Sequence, residues 1–193
     1  MLVLKTDGPV AERSARYGSI AAIISFVLFA LAGAWVAFGL PGYAITSQVV
    51  SDGASNPLLK TVEVGAAGGW LHNYSTMPAT ILAPVVGLLG ALASAVLLRK
   101  RRGGLAFIAS GASIAGIIFT VGFAIFPFLL PSSTQPGSSL TVWDGSSSHL
   151  TLWVMLLATV IFLPIIIAYT TWVYRVLKGK TTLEEMGENP NAY

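Results

Sequence analysis

Four long apolar segments without a charged side chain are the feature that most constrains how this chain folds. They cover roughly residues 18–40, 79–98, 104–130 and 150–174. The hydrocarbon core of a bilayer is about 30 Å thick, and a helix of about 20 residues crosses it. Backbone amides in lipid must form hydrogen bonds within their own segment, so segments of this kind are helical. The sequence therefore predicts an all-α integral membrane protein with four transmembrane helices.

The few charged residues predict how these helices are oriented. The chain has 193 residues, of which 10% are charged, and 11 of them are Lys or Arg. Ten of these 11 lie before the first segment, between the second and third segments, or after the fourth. The exception is Lys60, which lies in the loop between the first and second segments. The positive-inside rule then places both termini in the cytoplasm and the loops 41–78 and 131–149 outside. The other ten basic residues are Lys5, Arg13, Arg16, Arg99, Lys100, Arg101, Arg102, Arg175, Lys178 and Lys180.

This orientation divides the chain into three parts. We expect a cytoplasmic N-terminal segment at 1–17, a four-helix transmembrane domain at 18–174 and a cytoplasmic tail at 175–193. Topology accounts for the net charge of +3, so the basic residues do not call for a nucleic-acid partner. Contact with anionic lipid headgroups is a further expectation for the basic run 99–102.

Local patterns predict several details of the loops and helices. Asn56 before Pro57 predicts a short interfacial helix over 57–71, and Asp144 with the serines after it is expected to cap the fourth helix. Pro164 in the middle of that helix predicts a kink. Small residues predict close helix packing in lipid along two stripes, which are Gly87, Ala91 and Ala95, and Ala112, Gly116, Thr120 and Ala124.

Few residues of this chain are suited to chemistry. The apolar segments lack the ionisable side chains that ion and proton carriers usually keep within the membrane, and the chain has no cysteine. We predict no catalytic residue and no metal site. The two histidines, His72 and His149, could hold a haem b between two imidazoles, as small four-helix cytochromes do. However, His72 falls in a loop, and His149 lies among serines at a helix start, where a capping or solvated role is simpler.

Five separated motifs, in sequence order, resemble subunit II of cytochrome bd ubiquinol oxidase. The resemblance extends over essentially the whole chain but covers only the C-terminal half of the family's pattern, the last four of its eight helices. The stretch Met1–Leu4 fits this interpretation, because it resembles the end of an earlier helix. The motifs are FALAGAWV at 29–36, ASNPL at 54–58, FPFLLPSS at 126–133, SLTVWD at 139–144 and PIIIAYTTWVY at 164–174.

The resemblance implies a function that the residues alone do not supply. The family's complex oxidises quinol and reduces oxygen to water in the bacterial inner membrane, with haem b and haem d held by subunit I. Subunit II then supports subunit I without being catalytic itself. Implied partners are subunit I, the N-terminal half of subunit II, membrane lipid and the quinol pool, and a bound quinone is a further candidate. The alternatives are a small haem b cytochrome that uses His72 and His149, and a scaffold or transporter-like protein outside respiration.

Overall fold

The computed structural model describes residues 2–48 and 56–176. Within these ranges, four helices are long and apolar enough to cross a membrane: Gly8–Gly39, Pro78–Arg99, Gly103–Ile125 and His149–Val176. This confirms the predicted number of transmembrane helices. The α-helices are α1 Leu2–Lys5, α2 Gly8–Gly39, α3 His72–Thr76, α4 Leu82–Arg99, α5 Gly103–Ile125 and α6 His149–Val176. Of the predicted tail at 175–193, residues 177–193 lie outside the described residues.

Two of the helices differ in length from the predicted spans. Helix α2 begins at Gly8 rather than at 18, with Pro9 in its first turn. An apolar segment marks only the part of a helix that fits the hydrocarbon core, so polar turns beyond it are missed. Helix α5 ends at Ile125 rather than at 130. Pro127 cannot donate a helical hydrogen bond, and the chain continues as a short strand.

The segments between the helices contain two small antiparallel sheets that the sequence analysis did not predict. Strand β1 (Pro41–Ile45) pairs with β2 (Val62–Ala67), and β3 (Phe128–Leu130) pairs with β4 (Leu140–Thr141). The predicted helix over 57–71 is therefore wrong beyond its first turn. The Asn56 side chain does accept a hydrogen bond from the Leu58 amide (3.0 Å), but the 3₁₀ turn that it caps ends at Leu59.

Helices α4 and α5 form the closest packed pair, and α2 packs against α4. Gly87, Ala91 and Ala95 of α4 are all buried, which confirms the first predicted stripe. A Cβ atom on Gly116 of α5 would lie 2.8 Å from the Ala83 carbonyl oxygen, so only glycine fits there. The buried Ser113 hydroxyl donates to the Gly87 carbonyl (2.7 Å) across this interface.

The second predicted stripe is buried at only one position. Of its four members, Gly116 is buried, Thr120 and Ala124 are half-buried, and Ala112 is exposed. The buried residues of α5 are Ala106, Ser113 and Gly116. Small residues occur on both faces of this helix, so composition alone did not identify the packed face.

Helix α6 stands apart from the other helices. Its 28 residues include none that is buried, and within the described part of the chain it makes no extensive contact with another element. The helix runs through Pro164 without interruption. Thr159 donates its hydroxyl to the Met155 carbonyl (2.8 Å) one turn earlier.

Candidate functional site

An ion pair connects the two long loops at one end of the helices, which we call the loop end. The Lys60 ammonium contacts the Asp144 carboxylate, and their side chains are only 5% and 10% exposed. Asp144 also accepts a hydrogen bond from the Thr141 amide (2.5 Å). Two charges so far removed from water are stable only when they are paired and hydrogen-bonded. This pair therefore fixes the loop after α2 against the loop after α5.

The pairing changes the predicted role of Asp144. Burial raises its pKa, but the hydrogen bonds from Lys60 and Thr141 and the charge of Lys60 outweigh burial and leave the pKa below its ordinary value. The expectation that Asp144 caps the fourth helix is wrong, because its carboxylate is engaged in the loop. The serine part of the prediction is correct, because Ser148 caps α6: its hydroxyl accepts from the Thr151 amide (3.4 Å).

Three aromatic rings pack together at the loop end. The Tyr43 ring lies 5.2 Å from that of Trp70, and Trp70 lies 5.7 Å from Phe128, measured between ring centroids. Edge-to-face and tilted contacts at these distances stabilise aromatic pairs. The Tyr43 hydroxyl donates to the Ser132 carbonyl (2.9 Å). The cluster joins β1, the 3₁₀ turn that precedes α3, and β3.

Helix α3 is tied to the end of α5 by two polar side chains. The Asn73 amide nitrogen donates to the carbonyls of Phe123 (2.9 Å) and Phe126 (2.5 Å), where α5 ends. The Tyr74 hydroxyl donates to the Thr120 carbonyl (2.7 Å), and burial raises the pKa of this phenol. The bond to Phe123 satisfies a carbonyl that the last turn of a helix leaves without a partner.

A cavity of about 590 Å³ lies between these loops and includes one of the two histidines. His72 is part of its wall, together with aromatic rings such as Trp143, whereas His149 is not among its lining residues. His149 is instead the first residue of α6. The cavity thus offers one imidazole, not the pair that a bis-histidine haem requires.

Charged side chains lie near the ends of the described helices. Residues 2–48 and 56–176 contain no group of three or more His, Cys, Asp or Glu side chains that could hold a metal ion. In the four long helices, Glu12, Arg13 and Arg16 lie in the first three turns of α2, Arg99 in the last turn of α4 and Arg175 in the last turn of α6. The contacts described above hold the helix ends and the loops together.

Comparison with known proteins places this architecture in a family. The family model for cytochrome bd terminal oxidase subunit II matches residues 1–177 of the chain. The chain belongs to this family. The resemblance inferred from the five sequence motifs is confirmed, and the four apolar helices are those of a multi-pass protein of the bacterial inner membrane.

Its relatives in the subunit II family are longer proteins. Cytochrome bd-I ubiquinol oxidase subunit 2 of Escherichia coli K12 is 40% identical over 191 residues, which are 99% of this chain and 50% of that protein. The probable cytochrome oxidase subunit 2 of Haemophilus influenzae is 35% identical with the same coverage of both chains. The Bacillus subtilis cytochrome bd ubiquinol oxidase subunit 2 is 30% identical over 57% of this chain and 31% of its own. The chain thus spans about half the length of the first two relatives.

Most residues that organise the loop end of this subunit II family member were not predicted from the sequence. Lys60 had one signal, because it is the basic residue that departs from the charge pattern of the other ten. Tyr43 and Asn73 gave no such signal, because their partners are backbone carbonyls of distant segments.

Proposed function

We propose that this chain is a non-catalytic membrane subunit of a bacterial bd-type quinol oxidase, equivalent to the last four helices of subunit II. In that role it supports the haem-bearing subunit I while the complex oxidises quinol and reduces oxygen to water. Membership of the subunit II family supports the assignment. The lack of a charged side chain in the middle turns of the described helices supports the non-catalytic part, because proton and ion pathways in membranes need such groups.

The structural observation that carries this proposal is the isolation of α6. A 28-residue apolar helix with no buried side chain is not fixed by the other described residues, 2–48 and 56–148. Lipid does not drive helices together through the hydrophobic effect, so α6 can be exposed to lipid at little cost. Its position must then be set by van der Waals packing against other helices. A subunit whose helices complete their packing in a complex accounts for this arrangement.

Two partners follow from the proposal. Subunit I supplies haem b, haem d and the quinol-oxidising site, and a separate polypeptide or preceding segment supplies the equivalent of the N-terminal half of subunit II. The coverage of 50% of the Escherichia coli relative supports the second partner. We propose further that the basic end of the helices, with Arg99 and Lys100, is cytoplasmic and that the loop end faces outward.

The competing haem b cytochrome is not favoured. Of its two histidines, His72 lines the cavity between the loops and His149 does not, and the relatives are oxidase subunits. A quinone remains a candidate ligand of the complex, drawn from the quinol pool, but no residue of this chain is assigned to it.

A deletion and complementation experiment tests the proposal. The gene is deleted in its native host and restored as the wild type or as the double variant His72→Ala/His149→Ala, and reduced-minus-oxidised spectra of the membranes are recorded. The proposal predicts that deletion removes the haem d band and that both genes restore it. If the double variant selectively lacked a b-type band that the wild type restored, the cytochrome alternative would be correct. Haem d that is unaffected by the deletion would rule out a role in the oxidase.

A further inference from the structure

At the end of the helices opposite the loop end, two grooves lie next to each other. The first, which we call the basic groove, has a volume of about 700 Å³ and is lined by residues of α2, the α4–α5 turn and the segment before α2. The second, the intramembrane groove, also has a volume of about 700 Å³ and runs between α2, α4 and α5. Val3 and Leu98 line both grooves, so the two are continuous at these residues.

Three arginines line the basic groove, and their side chains have different hydrogen-bonding partners. Arg101 pairs with Glu12 (2.8 Å) at an exposed position. Arg99 donates from Nε to the Ser19 hydroxyl (3.0 Å). Among the described residues, neither the terminal nitrogens of Arg99 nor the Arg16 guanidinium has a hydrogen-bonding partner. Two guanidinium groups in one groove therefore keep donors available for an anion.

Arg99 is held in place by a buried side chain. Ser19, which is only 2% exposed, accepts from Arg99 Nε and donates to the Ala95 carbonyl (3.2 Å). This short chain of bonds joins α2 to α4 and orients the guanidinium. A fixed guanidinium presents two parallel N–H donors, a geometry that matches phosphate oxygens.

The intramembrane groove has a different character. Its wall includes Ala21, Ala22, Ala91, Phe107 and Ile114, with several serine hydroxyls. One of these, Ser113, is already bonded to the Gly87 carbonyl (2.7 Å). A long apolar chain fits along the alanine and aromatic wall of this groove, because it replaces membrane lipid by packing contacts.

From this arrangement we propose that the two grooves together bind one anionic glycerophospholipid. Its phosphate lies in the basic groove between Arg16 and Arg99, and one acyl chain passes Leu98 into the intramembrane groove. Charge complementarity identifies the headgroup: the three arginines exceed the two carboxylates of the basic groove, Asp7 and Glu12. The proposal does not depend on the oxidase function, since it concerns only residues of this chain.

Native mass spectrometry of the purified protein, in its assembled complex or as the full chain, tests this site. Dioleoylphosphatidylglycerol or dioleoylphosphatidylcholine is added, and the retained lipid adducts are counted. The key variant is Arg16→Gln/Arg99→Gln. Its control, Arg13→Gln/Arg102→Gln, removes the same charge at the same end but from residues outside both grooves. Basic residues near a membrane each contribute about a tenfold or smaller factor in affinity for anionic lipid.

The expected result is retention of phosphatidylglycerol by the wild type, with adducts reduced about tenfold or more in Arg16→Gln/Arg99→Gln and within about twofold of wild type in the control. Equal losses in both double variants would show that only general surface charge attracts lipid, and would overturn the proposal. Equal retention of phosphatidylcholine would also overturn it. The proposal would also be overturned if the wild-type protein retained no lipid because a partner helix fills the groove.

A second variant tests the acyl chain and remains informative if the arginine variant does not fold. Ala21→Phe narrows the intramembrane groove, whereas Ala30→Phe places the same ring at an exposed position of α2 outside it. We expect Ala21→Phe to lower phosphatidylglycerol retention severalfold and Ala30→Phe to leave it unchanged. If inorganic phosphate competed fully with the lipid and Ala21→Phe had no effect, the ligand would be a free anion and the lipid proposal would be wrong.

Discussion

Lys60 and Asp144 are separated by 84 positions in the sequence, yet their charged groups are in contact and almost fully removed from water. The contact joins the segment between β1 and β2 to the segment after β4. No helix packing brings these segments together, because they lie beyond the helix ends. The ion pair is therefore a polar connection between the two long loops, beside the hydrogen bond from Tyr43 to Ser132, and several consequences can be measured.

Removing one member of this pair should be much worse than removing both. Asp144→Asn or Lys60→Met removes the opposite charge from a buried charged group, and we expect the free energy of unfolding to fall by about 3 kcal/mol. The double variant Lys60→Met/Asp144→Leu should regain most of that loss. Thermal unfolding in detergent, arranged as a double-mutant cycle, measures the coupling.

The exposed pair of Arg101 and Glu12 is a matched control for this cycle, because both of its side chains are more than half exposed. Arg101→Gln should change stability by less than about 1 kcal/mol. If Asp144→Asn were as mild as Arg101→Gln, the loop ion pair would not have the role assigned to it.

The pH dependence of stability should report the same interaction. The folded protein lowers the pKa of Asp144 below its ordinary value of 3.8. A lowered pKa means that the ionised carboxylate stabilises the fold above the unfolded pKa, and that this contribution is lost as pH falls through the folded pKa. As pH falls below about 4, the melting temperature of wild type should therefore drop toward that of Asp144→Asn. A gap between the two proteins that stayed constant down to pH 3 would contradict the assignment.

Helix packing in the membrane gives a third prediction, from two glycines of α5. A Cβ atom at Gly116 would meet the Ala83 carbonyl oxygen at 2.8 Å, whereas a Cβ atom at Gly111 has nothing within 4 Å. Gly116→Ala should separate α4 from α5 and cost about 2 kcal/mol. Gly111→Ala should be neutral or slightly stabilising, because alanine favours helix. Similar melting temperatures for the two variants would show that α4 and α5 are not in close contact.

Replacing Asn73 should destabilise the fold more than replacing Asn56, an exposed asparagine that also bonds to the backbone at the end of a helical segment. Asn73→Ala leaves the carbonyls of Phe123 and Phe126 without their donor, with an expected loss of about 2 kcal/mol. Asn56→Ala removes one exposed bond to the Leu58 amide and should cost about 1 kcal/mol or less. Limited proteolysis of the loops, followed with both variants, compares the two. Faster cleavage in Asn56→Ala than in Asn73→Ala would reverse the expected order.

The helices could be predicted from sequence because lipid imposes a single local rule on them. An uncharged apolar segment of about 20 residues has few alternatives to a helix in lipid, so all four transmembrane helices were predicted. Their ends were less certain, as α2 shows: its first turns contain Glu12, Arg13 and Arg16 and lie outside the apolar segment. The rule identifies the buried length of a helix rather than its full length.

The loops could not be predicted in the same way. The alternation of Val62, Glu63 and Val64 is a strand pattern, but it is too short to outweigh the helix signal of Asn56 and Pro57. The partner of Lys60 depends on how two distant segments fold, and spacing along the chain carries no information about that. Likewise, α5 has small residues on both faces, so the choice of Ser113 over Ala112 depends on packing against α4.

We propose that this chain acts within a haem-bearing oxidase without holding haem itself. A reduced-minus-oxidised optical spectrum of the tagged chain, purified from its native host in mild detergent, tests this role when the partner chains are also identified by mass spectrometry. We expect haem d and haem b bands together with a subunit I polypeptide, and loss of both bands when the partner is stripped away. A b-type band that stays with the isolated chain would show that this chain binds haem itself and would overturn the proposal.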